Sequence, residues 1–386
     1  MLPKKLQHKL ESRTQDNAFR QLGVPNTLID FSSNDYLGFS KSKSIFKKTH
    51  QHILDYNLMQ NGATGSRLLS GNHSLYTEVE QQISTFHNAE STLIFNSGYD
   101  ANLGLFSCVP ERNDTILYDE FCHASIRDGI KMSNAKSYKF KHNDLSDLTH
   151  QLSRRAASKK ELDVIYIITE SVFSMDGDSP DLKTLTEICK KHNANLIIDE
   201  AHAIGLFGRH GDGLVSALHL EDSVFARIIT FGKALGCHGA AILGRHDLRD
   251  YLINFSRPFI YTTALPPHSL ATIKASYDAL LIHSNHEEPK LHQLQQNIIF
   301  FLFEINRLQL QELFTTSNSA IQCCILSGTN LVKHISEALK KEGFDVKAIL
   351  SPTVPKGKER LRFCLHSYNT PQEITKVLEL LTTFTV

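Results

Sequence analysis

The sequence predicts an α/β protein: a mostly parallel central sheet flanked by helices, with a smaller α+β domain at the C-terminal end. Three observations predict it. Short apolar runs recur at 92–95, 115–118, 164–169, 195–199, 227–230 and 240–243. Several are apolar on successive residues, which suits strands buried on both faces, as parallel strands covered by helices are. The segments between them, such as 182–192, carry apolar residues at helical spacing.

Taken in order, residues 4–22 read as a helix, because Leu6, Leu10, Phe19 and Leu22 fall near helical spacing among charges. Gly23-Val24-Pro25-Asn26 is expected to end it. A short strand follows at 27–32, and Ser33-Asn34-Asp35-Tyr36-Leu37-Gly38 is rich in turn formers and reads as irregular. The six apolar runs and their intervening helices build the large domain. Tyr261-Thr262-Thr263-Ala264-Leu265-Pro266-Pro267 marks a boundary, and a helical region follows over 268–310. The last part mixes strands at 320–326, 345–350 and 360–365 with helices at 330–341 and 371–381. The expected division is an N-terminal segment (1–45), a large domain (46–265) and a small C-terminal domain (266–386). The sequence has no internal repeat and no low-complexity tract.

Lys+Arg and Asp+Glu are both 41, so the net charge is zero. That removes any electrostatic reason to expect nucleic acid or an anionic membrane as partner, and any bound anion must be held by local groups. The seven cysteines are odd in number and irregularly spaced, with no C-x-x-C pair. Neither a zinc ribbon nor a disulfide framework is indicated, no metal site is expected, and a reducing compartment fits. The N-terminus lacks the apolar core of a signal peptide. No apolar run approaches the ~20 residues of a membrane span. A cytoplasmic location is the expectation.

Three polar clusters stand where apolar runs end, which is where ligands bind in open α/β sheets. Asp199-Glu200-Ala201-His202 places a carboxylate directly after a buried run, a costly position unless it is paired. A protonated ring nitrogen would pair it. Magnesium in a nucleotide triphosphatase is a second reading, since D-E-A-H occurs in helicases, but it needs a G-x-x-x-x-G-K-[ST] loop, and the chain has none. An exposed strand-end acid is the plain alternative. Lys233 follows the run 227–230 and is flanked by Gly232 and Gly236, small residues that would admit a planar ligand to the backbone. A Schiff-base lysine needs a neutral amine, which burial or nearby cations favour. Taken alone, it would be a solvated surface charge. Asn96-Ser97-Gly98-Tyr99 follows the run 92–95 and precedes a helix, so its amides and the helix dipole could hold a phosphate; an ordinary strand–turn–helix is the alternative. His123 could stack on an aromatic ring or be one loop histidine among 20.

In this order the clusters resemble the α-oxoamine synthases, fold-type I pyridoxal-phosphate enzymes. The resemblance spans essentially the whole chain. Its marks are Phe31-Ser32-Ser33-Asn34-Asp35-Tyr36-Leu37-Gly38, Gly62-Ala63-Thr64-Gly65-Ser66-Arg67, Ser97-Gly98-Tyr99 and His123-Ala124-Ser125. They continue with Val172-Phe173-Ser174-Met175-Asp176-Gly177-Asp178, Asp199-Glu200-Ala201-His202 and Thr230-Phe231-Gly232-Lys233. Within the family the chain looks most like the branch that condenses L-alanine with a pimeloyl thioester, on coenzyme A or acyl carrier protein. Ser351-Pro352-Thr353-Val354-Pro355 followed by Arg360-Leu361-Arg362 adds to that likeness.

The resemblance implies pyridoxal 5′-phosphate as cofactor and an acyltransfer reaction, and it implies roles residue by residue. Lys233 carries the cofactor and moves the substrate's α-proton. Asp199 meets the pyridine nitrogen and His123 stacks on the ring. His202 and Ser174 lie near the phenolic oxygen. Gly98, Tyr99 and Thr230 serve the phosphate. Thr262 and Thr263 match a segment that reaches the neighbouring subunit's cofactor phosphate, which implies a homodimer with shared active sites. Arg362 takes the amino-acid carboxylate, and Arg20 and Thr353 match positions used for the acyl substrate. The rivals are other members of the family, using glycine with acetyl or succinyl thioesters or forming a serine–palmitoyl product. A rival of another class is a nucleotide-binding protein built round the D-E-A-H sequence.

Overall fold

The computed structural model describes residues 2–156, 162–283 and 289–385. They divide into two compact units. The smaller comprises Met1–Asn34, Met175–Asp178 and Gln293–Val386, and the larger Asp35–Ser174 and Ser179–His292.

The chain opens in the smaller unit with α1 (Lys4–Gln15) and the two-residue strand β1 (Ile29–Asp30). α1 is shorter than the apolar spacing over 4–22 predicts. Asp16 caps it, and Asn17 adopts a left-handed φ of 50°, which Asn tolerates better than most residues. The expected strand at 27–32 shrinks for a similar reason. The Asp30 carboxylate accepts the Ser32 and Ser33 N–H groups at 2.8 and 2.9 Å and turns the chain there.

The larger unit runs α2 (Lys43–Asp55), α3 (Ser74–Phe86), β2 (Ser91–Phe95), α4 (Gly98–Cys108), β3 (Thr115–Asp119), α5 (Ala124–Met132), β4 (Lys136–Phe140), α6 (Leu145–Ala156) and β5 (Ile165–Glu170). It continues with α7 (Leu182–Lys191), β6 (Asn195–Asp199), α8 (Leu214–Ala217), β7 (Ala226–Thr230), β8 (Ala240–Gly244), α9 (His246–Phe255), α10 (Arg257–Ile260) and α11 (Pro267–His283). Seven strands form one sheet in the order β2-β8-β7-β6-β5-β3-β4. Only β8 runs against its neighbours. The carboxyl ends of β2, β7, β6, β5 and β3 therefore share one edge.

Both faces of this sheet are covered, and the alternation of side chains shows it. Ile116, Ile168, Ile197 and Ile228 pack with Leu105, Ile126 and Leu248 of α4, α5 and α9. Leu117, Ile167, Leu196 and Ile198 pack with Leu148, Leu152, Leu182 and Leu185 of α6 and α7 on the other face. Double coverage is why these strands read as unbroken apolar runs. β4 escaped that reading because it is the edge strand, exposed over four of its five residues.

The helical region expected over 268–310 is α11 followed by α12 (Lys290–Arg307), with 284–288 outside the described residues. The smaller unit then adds β9 (Ile321–Ile325), α13 (Thr329–Lys341), β10 (Phe344–Asp345), β11 (Lys347–Ile349), β12 (Arg360–Cys364) and α14 (Pro371–Thr385). β11-β12-β9 form an antiparallel sheet, and β10 pairs in parallel with β1. The single strand expected at 345–350 is thus two, and the first of them pairs with the N-terminal segment rather than with β12.

Candidate active site

The sheet polarity brings five sequence-distant segments to one edge: the turn after β2, the Asp119–His123 loop after β3, Glu170, Asp199, and the turn that carries Lys233. Asp199 ends β6 and is 6% exposed. One of its oxygens accepts the Ala201 N–H at 2.9 Å, and the other accepts Asn102 Nδ2 of α4, also at 2.9 Å. Asn102 Nδ2 donates a second bond, 3.0 Å, to Ser125 Oγ. With that acceptor site filled, Ser125 donates its own proton to His123 Nδ1, 2.7 Å away, and the Ser125 N–H points to the same nitrogen at 3.3 Å. The arrangement assigns the remaining ring proton of a neutral His123 to Nε2.

Burial lowers the basicity of His123; the Asp199 charge opposes this and the Lys233 cation adds to it. Neutral imidazole is the form that suits contact with the face of an aromatic ring. The His123 N–H donates to Glu170 at 2.6 Å. Glu170 ends β5, is 3% exposed, and lies in register with Asp199 on the adjacent strand. Burial, reinforced by the Asp199 charge, pushes its carboxyl up to about 8, against the opposing pull of Lys233. Lys233 and Asp199 thus act on the same two groups, His123 and Glu170.

Lys233 is half-buried in a turn closed by β7 and β8. Within it Phe231 N–H donates to Gly239 O, Gly236 N–H to Lys233 O and Cys237 N–H to Phe231 O, at 2.8–2.9 Å. Gly236 sits at φ 62°, and a Cβ there would come within 2.2 Å of the Ser40 backbone nitrogen. This glycine serves a crossing of two chain segments, not the approach of a ligand that the sequence suggests. Gly232 has ordinary van der Waals room, with nothing nearer than 3.6 Å.

Beside this turn, Ser97 caps α4 by accepting the Asp100 N–H at 3.1 Å, which leaves Gly98 and Tyr99 in the first helical turn. A Cβ on Gly98 would lie 3.7 Å from Thr230 Oγ1, so helix start and hydroxyl are neighbours. The Tyr99 ring is directed elsewhere, its hydroxyl donating to Asp128 at 2.5 Å. Asn96 Nδ2 donates to the Thr263 carbonyl at 2.6 Å, which sets the half-buried Thr262 and exposed Thr263 next to the end of β2. His202 is buried, with Nδ1 2.8 Å from the hydroxyl of the fully buried Tyr36. Ser174 lies half-buried in the turn that follows β5.

The remaining expected residues lie in the smaller unit. Arg362, on the central strand β12, is 6% exposed; its guanidinium donates to Asn34 Oδ1 at 3.0 Å and to Cys364 Sγ at 2.7 Å. Arg20 Nη2 lies 3.4 Å from Thr353 Oγ1, so the two positions matched to the acyl substrate meet despite 333 residues of separation.

Glu200 of the D-E-A-H sequence is occupied in another way. Its buried carboxylate pairs with Arg227 of β7 at 2.7 Å and accepts the Val215 N–H at 3.0 Å. Arg227 also donates to the carbonyls of His87 and Asp212 and to Ser216. No cluster of three metal-ligating side chains occurs among the described residues. Sequence reasoning missed Glu170, Asn102 and Tyr36.

The family profile described as Aminotransferase class I and II matches residues 26–381. The chain belongs to that family. Among class I and II relatives, the 8-amino-7-oxononanoate synthase of Emericella nidulans is 40% identical over 98% of this chain and 95% of its own length. That of Photobacterium profundum is 34% identical over 97% and 95%. Among solved structures, serine palmitoyltransferase from S. paucimobilis with a bound PLP–myriocin adduct gives a TM-score of 0.87 at 25% identity, covering 99% of this chain and 96% of that one. The 8-amino-7-oxononanoate synthase of Francisella tularensis gives 0.76 at 30% identity, covering 94% and 98%. The fold is that of fold-type I pyridoxal-phosphate enzymes, and within the class I and II family the chain is an α-oxoamine synthase and a PLP-dependent acyltransferase.

The residues present fit pyridoxal phosphate. A buried carboxylate with two fixed hydrogen bonds suits a protonated ring nitrogen. A helix start beside a threonine hydroxyl suits a phosphate. An imidazole held neutral suits the ring face, and the half-buried Lys233 amine acts electrostatically on the same groups.

Proposed function

We propose that this chain condenses L-alanine with a pimeloyl thioester, on coenzyme A or acyl carrier protein, to form 8-amino-7-oxononanoate in biotin biosynthesis, and that it does so in the cytoplasm. The observation that carries the reading is the gathering of Asp199, Glu170, His123 and Lys233 at the carboxyl ends of neighbouring strands of one sheet, in a chain 40% identical to such a synthase along nearly its full length. The serine palmitoyltransferase superposes better, but its identity is lower. Backbone path is common to the whole family, whereas side chains choose substrates, so the identities weigh more.

Bound PLP supplies an electron sink for the substrate's α-carbon. Lys233 takes the α-proton as a neutral amine and later returns a proton to that carbon. Asp199 holds the proton at the ring nitrogen, and the Asn102 bond fixes its carboxylate plane. His123 lies against the ring, oriented by Ser125. His202, tied to Tyr36, and Ser174 serve the phenolic oxygen, while Gly98, Tyr99 and Thr230 hold the phosphate. Arg362 takes the alanine carboxylate through a bidentate contact, and Arg20 and Thr353 receive the acyl group. In sum, a carbon–carbon bond forms at the thioester carbonyl, the thiol departs, and the alanine carboxylate leaves as carbon dioxide. Thr262 and Thr263 reach the cofactor phosphate of a second copy, so the working form is a homodimer.

The test is a matrix of L-alanine, glycine and L-serine against acetyl-, succinyl-, pimeloyl- and palmitoyl-CoA. Alanine with pimeloyl-CoA is expected to give the highest kcat/KM; a preference for serine with palmitoyl-CoA overturns the assignment. Lys233→Ala is expected to lose the cofactor's visible absorbance band and to lower turnover by about 10²–10⁴-fold or more, the range of a positioned acid–base group. Full activity in that variant would remove Lys233 from the chemistry.

A further inference from the structure

At the edge of the sheet opposite Asp199 and Glu170, the amino ends of β3, β5 and β7 meet the start of α9 and the segment after α4. They enclose a cavity of about 450 Å³ that lies wholly within the larger unit. Tyr166 and Glu170 stand near the two ends of β5, roughly 13 Å apart along the strand, so this cavity is separate from the site that gathers Asp199 and His123. Its walls are aromatic, from Tyr166, Phe225 and Tyr251, and the carboxylates of Glu111, Asp114 and Asp247 stand around them. Arg112 is the single cation lining it among the described residues, and it is exposed.

The hydrogen-bonding groups of the cavity are one-sided. Asp114 takes up the backbone N–H groups of Glu111 and Val164, each at 2.8 Å. Tyr251 gives its hydroxyl proton to the Cys108 carbonyl at 2.9 Å, so towards the cavity its oxygen can only accept. Asp247 accepts the Leu248 N–H at 2.8 Å and has an exposed contact with Arg245 at 3.4 Å. Tyr166 is the decisive member. It is 6% exposed, and its hydroxyl has no hydrogen-bond partner among the described residues. A buried hydroxyl left unpaired costs free energy, and the cavity is the open side from which a partner can reach it. Burial, and then the Asp114 charge, push that hydroxyl up, so it stays neutral.

What the cavity offers is a set of acceptor oxygens in a negative field, walled by rings. An anion is repelled there, which excludes the carboxylate and phosphate groups of the substrates proposed above. A wholly apolar ligand leaves Tyr166 unpaired. An ammonium ion meets every surface: its N–H bonds to a hydroxyl oxygen, its charge faces the carboxylates, and its carbon-bound hydrogens lie on the rings. We infer that this cavity binds a small aliphatic ammonium ion, held by a hydrogen bond to Tyr166 and by the charges of Glu111 and Asp247 at its mouth. The inference stands apart from the reaction proposed for the opposite edge of the sheet.

The test is calorimetric titration of the holoenzyme with trimethylammonium, which has one N–H and, as a tertiary amine, cannot condense with the aldehyde of the cofactor. Tetramethylammonium keeps the charge and lacks the N–H, and tert-butanol keeps the shape and lacks the charge. Wild-type protein is expected to bind one trimethylammonium per chain, at least about tenfold more tightly than tert-butanol. Tyr166→Phe is expected to weaken trimethylammonium by about ten- to a hundredfold, the effect of a hydrogen bond to a charged group, and to leave tetramethylammonium nearly unchanged. The titrations are run at 0.15 M salt, where the Debye length is about 8 Å and attraction to scattered surface acids is screened. Absence of saturable binding overturns the inference. So does equal affinity for tert-butanol, which would make the cavity merely apolar, and so does wild-type affinity in Tyr166→Phe. Should Tyr166→Phe fail to fold, the exposed positions carry the comparison as Glu111→Gln and Asp247→Asn. Several-fold weaker trimethylammonium binding in either supports the site, and wild-type affinity in both overturns it.

Discussion

Two buried carboxyl groups, Glu170 and Asp199, lie in register on adjacent strands, and two such neighbours do not both ionise easily. Glu170 is the member that keeps its proton, with its carboxyl pushed from 4.5 to about 8 by burial and then by Asp199. A protonated Glu170 leaves Asp199 as the charged member of the pair, as its proposed role opposite a ring nitrogen requires. The raised value has a sign for stability. Between pH 4.5 and about 8 the folded protein retains a proton that the unfolded chain releases, so stability falls as pH rises through that window and levels off above it. In cofactor-free protein, Glu170→Gln is therefore expected to flatten the decline of Tm between pH 5 and 8; parallel Tm–pH curves for variant and wild type would contradict this. At this scale the sequence was partly legible. Lys233 and Asp199 stood out as polar residues ending apolar runs. Glu170 offers the same signal at the end of 164–169. Tyr36 stands in a motif that marks the family but carries no sign of its role, and Asn102 gives no signal, because each acts on a partner about 100 residues or more away.

At the scale of elements, β6 and β7 are joined by more than their ladder. Glu200, just past β6, and Arg227, within β7, form a buried ion pair whose remaining donors and acceptors are filled by backbone and Ser216. Removing one partner strands the other charge in the interior. Arg227→Met is expected to cost about 3–5 kcal/mol, read as a lowered denaturation midpoint. The double variant Arg227→Met with Glu200→Leu is expected to recover much of the loss; no recovery would mean that Arg227 acts through its bonds to His87 and Asp212 instead. Strands covered on both faces could be read from composition because burial demands continuous apolar side chains. The edge strand β4 and the end of α1 could not. One is paired along a single side and tolerates polar residues, and the other is set by the left-handed turn at Asn17.

For the molecule as a whole, fold and cofactor are linked through mass action. A ligand held only by the folded state adds about 2.7 kcal/mol of stability at a hundred times its Kd. Pyridoxal phosphate is therefore expected to raise Tm in wild type, and less in Asp199→Ala, where its ring nitrogen loses a partner; equal shifts would count against that contact. The sequence conveyed the sheet, the order of the motifs and the family. It did not convey which strand runs backwards, since polarity is decided by long-range pairing and leaves no mark on composition. That reversal matters for the lysine. Because β8 turns back along β7, residue 233 sits on a short loop stapled at both ends by ladder bonds, from Thr230 facing Ala240 outward. In the proposed reaction that puts its amine on a tight leash: once released from the cofactor it would have nowhere distant to go, so the proton it had just collected would stay within reach of the carbon that must have one back.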